Sequence, residues 1–363
     1  MKKTFDQNYI INEINRQKRL FGESYQKAID LEFEYGVFAD DALDILRNYP
    51  FLRKLTIFHC GNVSDAKLES LSELNELERL CVAGTQCDGS FLQYVNPNVD
   101  YLRFKYSRFS ESNARFLERF VNIGQIDLEY CGVDDVVVDT LTNQPLNRLS
   151  DIGLYNGHFQ KQTKKELITP RLTTIRLIEC SGCTNMTKIL RAVHTLERID
   201  VRYSDFYEED IIRLLASADQ AKRSLYLDFS GTSVSDRTLE YIASSSLPYV
   251  SHLFLDDTSV TQKGIRTLAQ CEQSKELSVL GLTDICDLDL NFIISAFPNI
   301  WEIHVPYGEL NSCNIPKSRL RLESESRRVA IYSVKRANTQ IVFLKTPYKY
   351  YYNLVRRVKR YSF

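Results

Sequence analysis

The sequence predicts an α/β solenoid, a stack of strand-and-helix units packed side by side. Two observations predict it. An apolar pattern recurs every 22 to 28 residues along most of the chain. The length of 363 residues also exceeds what one ordinary compact core holds, and a stack escapes that limit because each unit packs only on its neighbours.

Residues 1–50 precede the repeat and predict a helical N-terminal cap. Ile10, Ile11 and Ile14 are apolar at short spacing, as are Leu31 and Phe33, and Asp40 and Asp41 open a helix-like run to Leu46. A solenoid exposes its core at each end unless such a segment covers it.

Residues 51–310 carry about eleven units. The pattern is apolar at positions 1, 4 and 6, with a small, thiol or hydroxyl side chain at 9. It reads Leu52, Leu55, Ile57, Cys60, and returns as Leu77, Leu80, Val82, Thr85 and as Ile123, Ile126, Leu128, Cys131. Further copies start at Val99, Leu149, Leu172, Leu196, Val250, Leu277 and Ile300, and a degenerate one at Lys222 keeps Leu225, Leu227 and Ser230. Positions 4 and 6 alternate, so they face one side of a short strand. The residue at 9 suits the turn that leaves the strand, where backbone groups need a partner. A helix-period segment follows, as in Val234-Ser235-Asp236 leading to Leu239 and Ile242, with Ser or Asp placed to cap it.

With these residues in view, the chain resembles the leucine-rich repeat proteins, closest to the cysteine-containing subtype. Thr232-Ser233-Val234-Ser235-Asp236 and Thr258-Ser259-Val260-Thr261 match its step after the strand most closely. The resemblance implies a curved parallel sheet on a concave face, helices on the convex face, and a role in binding.

Residues 311–363 leave the repeat. Val329–Val334 and Gln340–Leu344 read as strands of a β-hairpin capping the last unit, followed by a Tyr-rich segment. From Lys317 onward there are thirteen Lys and Arg against two acids, a surplus of eleven in a chain of net charge −1. Lys349, Arg356, Arg357, Lys359 and Arg360 interleave with tyrosines. Three readings stand: phosphate contacts and base stacking on nucleic acid, attraction to an anionic membrane, or a cap lying on an acidic body.

The chemistry motifs point away from catalysis. Cys180 and Cys183 form a CxxC without the second ligand pair that a zinc site needs, and Cys180 already fills a ninth position. The histidines lack metal-ligand spacing, and no phosphate-binding glycine loop or nucleophile elbow occurs. The sequence therefore predicts no enzyme, no cofactor, no metal and no small-molecule substrate. Nine cysteines without a signal peptide read as reduced thiols of a cytoplasmic or nuclear chain.

Binding is the remaining expectation, placed on outward strand positions. Aromatics recur there: Tyr106, Tyr130, Tyr203, Phe229 and Tyr307 at position 8, Tyr155 at 7, Tyr226 and Phe254 at 5, and Trp301 at 2. Tyr and Trp give large contact area at low entropy cost. Charges divide along the chain, with Arg103, Lys105, Arg176, Arg198 and Arg202 earlier and Asp228, Asp256, Asp257 and Asp284 later. The expected partner is a protein, basic where it meets Asp256 and Asp257.

Overall fold

The structure is a computed structural model that describes residues 3–22, 29–107, 109–160, 165–190, 193–282 and 289–306, together with the course of strands Leu320–Glu325, Val329–Val334 and Gln340–Leu344. The chain divides into two compact units, Met1–Val193 and His194–Phe363.

In the first unit, seven strands run parallel, one per repeat: β2 (Asp30–Glu34), β4 (Lys54–Phe58), β5 (Arg79–Ala83), β6 (Tyr101–Lys105), β7 (Gln125–Glu129), β8 (Asp151–Tyr155) and β9 (Thr174–Ile178). Fourth positions pair with fourth positions: Leu31, Leu55, Leu80, Leu102, Ile126, Ile152 and Ile175 form one ladder. Sixth positions form another, from Phe33 and Ile57 to Leu177, and all are buried. Leu31 and Phe33 therefore belong to the first rung of the sheet rather than to a helical cap.

The cap is smaller than residues 1–50. Helix α1 (Gln7–Phe21) starts at Asp6, whose carboxylate accepts from Tyr9 N at 2.7 Å, and buries Ile10 and Ile14. Strand β1 (Lys3–Phe5) pairs with β3 (Gly36–Phe38). Phe5, Phe33 and Phe38 then meet with all ring centroids 5.1 Å apart, sealing the first rung.

Behind β4 to β6 the return segments are 3-10 turns, at Asp65–Glu73, Ser90–Gln93 and Glu111–Arg119. The 3-10 form rises about 2.0 Å per residue against 1.5 Å for an α-helix, so a short return covers the same span. The returns after β7 and β9 instead hold α2 (Asp135–Thr142) and α3 (Thr184–Ile189).

The second unit repeats the plan with β10 (Arg198–Asp200), β11 (Leu225–Asp228), β12 (Val250–Phe254), β13 (Val279–Gly281) and β14 (Glu302–Pro306) in parallel order. Its returns are α4 (Glu208–Ala216), α5 (Asp236–Ser244), α6 (Gln262–Leu268) and α7 (Leu290–Ala296). Beyond β14, strand β17 (Gln340–Leu344) continues the sheet parallel, β16 (Val329–Val334) pairs with it antiparallel, and β15 (Leu320–Glu325) pairs with β16.

One rung is shifted from its sequence reading. Leu227 pairs with Leu253 and Tyr226 with His252, after a bulge at Leu225/Tyr226. Position 4 of this rung is thus Leu227, position 6 is Phe229 and position 9 is Thr232. The hydroxyl of Thr232 donates to Phe229 O as Thr258 donates to Leu255 O, the same step from position 9 to position 6. The copy assigned to Lys222 starts two residues later, and Phe229 is core, fully buried.

Side chains at the start of each return also link neighbouring rungs. Asp65 accepts from Asp88 N at 2.9 Å and Phe91 N at 2.8 Å, and Asp236 from Thr261 N at 2.7 Å. Glu208 accepts from Ser235 N and Thr238 N at 2.9 and 3.1 Å. Burial alone would raise the Glu208 pKa, but these donors and two hydroxyls hold it below its ordinary value. Capping within the same return persists at Asp134, Ser235 and Thr261.

Candidate binding face

The sheet face turned away from the returns carries positions 3, 5 and 7. In the first unit its centre is an ion-pair network. Glu129 on β7 is buried and meets both Arg103 and Lys105 on β6. Burial would lower the Arg103 pKa, but the Glu129 carboxylate overcomes this and holds the guanidinium above its ordinary value. Arg176 on β9 donates to Asp127 at 2.9 Å and also pairs with Asp151. The Tyr101 hydroxyl lies 3.4 Å from Asp127, and its pKa is raised by burial first and by that carboxylate second. The early cations of the sequence are therefore matched by acids one or two rungs away.

Along one edge of this face runs a row that follows from a single backbone feature. Position 8 leaves the strand in the left-handed region: φ is +55° at Tyr35, +52° at His59, +62° at Gly84, +52° at Tyr106, +53° at Tyr130, +57° at Asn156 and +55° at Glu179. A non-glycine residue there costs on the order of 1–2 kcal/mol. The geometry turns each side chain along the row. Tyr35 and His59 stack at 5.3 Å with planes 18° apart, His59 and Tyr106 at 5.8 Å and 20°, and Tyr106 and Tyr130 at 5.4 Å and 22°. His59 reaches Tyr106 across Gly84, where an added Cβ would lie 2.4 Å from His59 Nδ1. Lys105 Nζ sits 4.5 Å from the Tyr106 ring centre. Burial, then the Glu179 carboxylate, pushes the Tyr130 pKa up.

Of the residues expected on this face, Tyr106 is 44% exposed and Tyr130 is half-buried. Tyr155 is buried and supports Tyr130 from behind, with ring centres 6.4 Å apart, so it is not an accessible contact. Two members were missed. Tyr35 is 61% exposed, and His59 is exposed as well. Their signal was the eighth-position spacing, hidden at Tyr35 because its rung was read as cap.

The second unit differs. Asp200, Asp228 and Asp256 lie on its sheet face but are fully buried, as is Arg202 at 3% exposure. Arg202 bridges Asp200 at 3.3 Å and Asp228 at 3.1 Å, and Ser230 Oγ donates to Asp228 at 2.7 Å. Burial first, and the neighbouring Asp200 carboxylate second, push the Asp228 pKa up to about 7. The expected acidic docking patch is thus corrected at Asp256: it lies within a charged core, while Asp257 is exposed. Phe254 is buried too, against Tyr226 at 5.6 Å and His304 at 5.5 Å. Tyr226 is half-buried between the Arg198 guanidinium at 3.9 Å and the His252 ring at 5.2 Å. Tyr203 is half-buried in the left-handed region, its ring lying over Gly231. Trp301 is 44% exposed just before β14. Tyr307, Asp284 and the basic-tail residues Lys349, Arg356, Arg357, Lys359 and Arg360 lie outside the described residues.

The ninth-position thiols serve the backbone. Cys60 Sγ lies 3.7 Å from Phe33 O and Cys180 Sγ 3.4 Å from Leu154 O, each reaching the sixth-position carbonyl of the preceding rung. Cys183 is buried as well. Among the described residues, no group of three His, Cys, Asp or Glu is placed to hold a metal ion, and no helix is long and apolar enough to cross a membrane.

No family model matches the chain, and no curated protein matches it. Solved structures do. An internalin from Listeria monocytogenes aligns over 72% of this chain and 75% of its own, at 14% identity and a TM-score of 0.44. A leucine-rich repeat protein of Leptospira interrogans aligns over 87% of this chain and 100% of its own, at 12% identity and a TM-score of 0.41. A chain of a TLR13–ssRNA13 complex aligns over 84% of this chain at 15% identity and a TM-score of 0.49, and only 41% of that longer chain is covered. The fold stands on the rungs themselves. Parallel strands in 4-to-4 and 6-to-6 register, small ninth-position residues closing the turns, and helical returns make it an α/β leucine-rich repeat solenoid.

Proposed function

We propose that the chain is a non-catalytic protein-interaction module that binds a protein partner on the sheet face and its aromatic edge. The carrying observation is the stacked row Tyr35–His59–Tyr106–Tyr130. Four side chains accept an unfavourable backbone conformation, and three of them, Tyr35, His59 and Tyr106, remain exposed. Strained, pre-ordered aromatics lose little entropy on contact, which is the property of interface anchors. The engaged ion pairs behind the row favour a rigid platform rather than proton-transfer chemistry. Cys60, Cys131 and Cys180 at ninth positions support assignment to the cysteine-containing subtype.

Capture from a native lysate tests the reading, with and without nuclease. A protein retained by the parent chain after nuclease treatment, and lost by a Tyr35→Ala/Tyr106→Ala variant with an unchanged melting curve, sustains it. Truncating an interface anchor typically costs about 2 kcal/mol, roughly thirtyfold in affinity. Equal capture by the variant overturns it. Capture abolished by nuclease alone transfers the function to nucleic-acid association through the basic C-terminal segment.

A further inference from the structure

We infer that a cleft in the second unit is a binding site for a small aryl anion, a flat ring bearing an oxyanion group. It lies among connectors rather than on the sheet face and does not depend on the reading above. Its shape follows from connector length. Residues 217–224 join α4 to β11 and residues 269–278 join α6 to β13, whereas the connector between them in the stack, residues 245–249, is much shorter. The short one lies recessed between two longer ones, and the gap is a cleft of about 530 Å³. That volume falls within the range of about 300–1,000 Å³ for small-molecule sites. Tyr249 O accepts from Leu225 N at 2.7 Å and Gln273 Nε2 donates to Ser245 O at 2.7 Å, which ties the middle connector to both flanks.

The lining gives the chemistry. Leu247 and Pro248 supply an apolar floor, and Tyr249 beside them is 38% exposed. The acids of one wall are committed. Glu272 pairs with Lys275 and accepts from the Tyr249 hydroxyl at 3.3 Å, and Lys275 above all holds the Glu272 pKa below its ordinary value. Glu276 accepts from the Ser224 hydroxyl, a bond that joins the two flanking connectors. On the other wall Lys222 and Arg223 are both exposed, and neither is paired with an acid among the described residues. The uncommitted charge of the cleft is therefore positive. A guanidinium beside an ammonium suits an oxyanion, which the guanidinium grips by its bidentate fork. The bond to Glu272 fixes the Tyr249 ring, so a flat body stacks on it at small entropy cost.

The test uses the full chain and fluorine NMR of para-fluorophenyl phosphate, with para-fluorobenzylamine as the cationic counterpart and inorganic phosphate as the competitor. Saturable broadening of the aryl phosphate, none of the amine, and displacement by inorganic phosphate only at far higher concentration are expected. The dissociation constant should rise about tenfold in Lys222→Ala/Arg223→Ala, through two lost charge-assisted contacts, and severalfold in Tyr249→Leu, with melting curves unchanged. Absence of saturable broadening, or equal broadening of the amine, overturns the inference. A constant unchanged in the double variant places the anion on the basic C-terminal segment and overturns it too. So does a constant unchanged in Tyr249→Leu, or displacement by inorganic phosphate at the aryl phosphate's own concentration, since the ring then contributes nothing.

Discussion

Arg176 donates to Asp127 at 2.9 Å although β8 runs between their strands. The contact exists because the residue between them is Gly153. A Cβ there would lie 2.2 Å from Asp127 Oδ1 and 3.0 Å from Tyr155 Cε2. One missing methyl group thus joins three rungs of charge.

Gly153→Ala should displace the Asp127 carboxylate and destabilise the chain by about 1.5–3 kcal/mol, the range for a hydrogen bond to a charged group. Urea unfolding measures it. Combined with Asp127→Asn, the two losses should sum to less than their separate values, because both act on one contact. Full additivity would show that the glycine serves something else.

Phe229→Ala should cost about 3–5 kcal/mol, as for other fully buried phenylalanines. Tyr226→Ala, three residues earlier and half-buried on the face, should cost far less. Two comparable losses in thermal melts would contradict the register that places Phe229 at a sixth position.

Stability should depend on pH through Asp228. Its folded pKa of about 7 stands above the ordinary 3.8. Between those values the folded chain keeps a proton that the unfolded chain has released, so stability falls as pH rises through the window and levels above it. Asp228→Asn removes that slope. Urea midpoints at pH 4.5 and 7.5 should show the variant gaining on the parent as pH rises; the opposite trend refutes the assignment.

Buried thiols should be inert. Burial pushes the pKa of Cys87 and of Cys131 up to about 12, so little thiolate forms at pH 8. A disulfide reagent should modify both only as fast as the chain opens. Among the described cysteines, Cys81 and Cys271, half-buried, should react first. Prompt labelling of Cys131 in the native chain would disprove the packing described around it.

The strand ladders were legible because large apolar residues at positions 4 and 6 have no alternative to the core. Leu80 with Val82 and Ile175 with Leu177 needed no further information. The first rung hid because its position 1 is Ala28, a weaker apolar signal than the Leu, Val or Ile that opens most other copies. The rung around Phe229 slipped because Leu225, Leu227 and Phe229 alternate over three positions, so apolar spacing alone admits two registers. Only the bulge decides between them. The face charges were misread for another reason. Arg103 and Glu129 are 26 residues apart and become neighbours only once the register is known. The tilt of position 8 was invisible in the same way, because Tyr, His, Gly, Asn and Glu share a backbone conformation there but no side-chain chemistry.

The register has an evolutionary consequence. In the first unit each face residue meets a partner 22 to 26 positions away, from Arg79 with Tyr101 to Gln125 with Asp151. Inserting or deleting a whole rung disturbs contacts only at one junction, whereas a single residue gained inside a strand turns its face inward. Such a chain can lengthen its sheet face by duplication, in steps of one strand spacing of about 4.8 Å, while each new rung brings its own eighth-position side chain to the row.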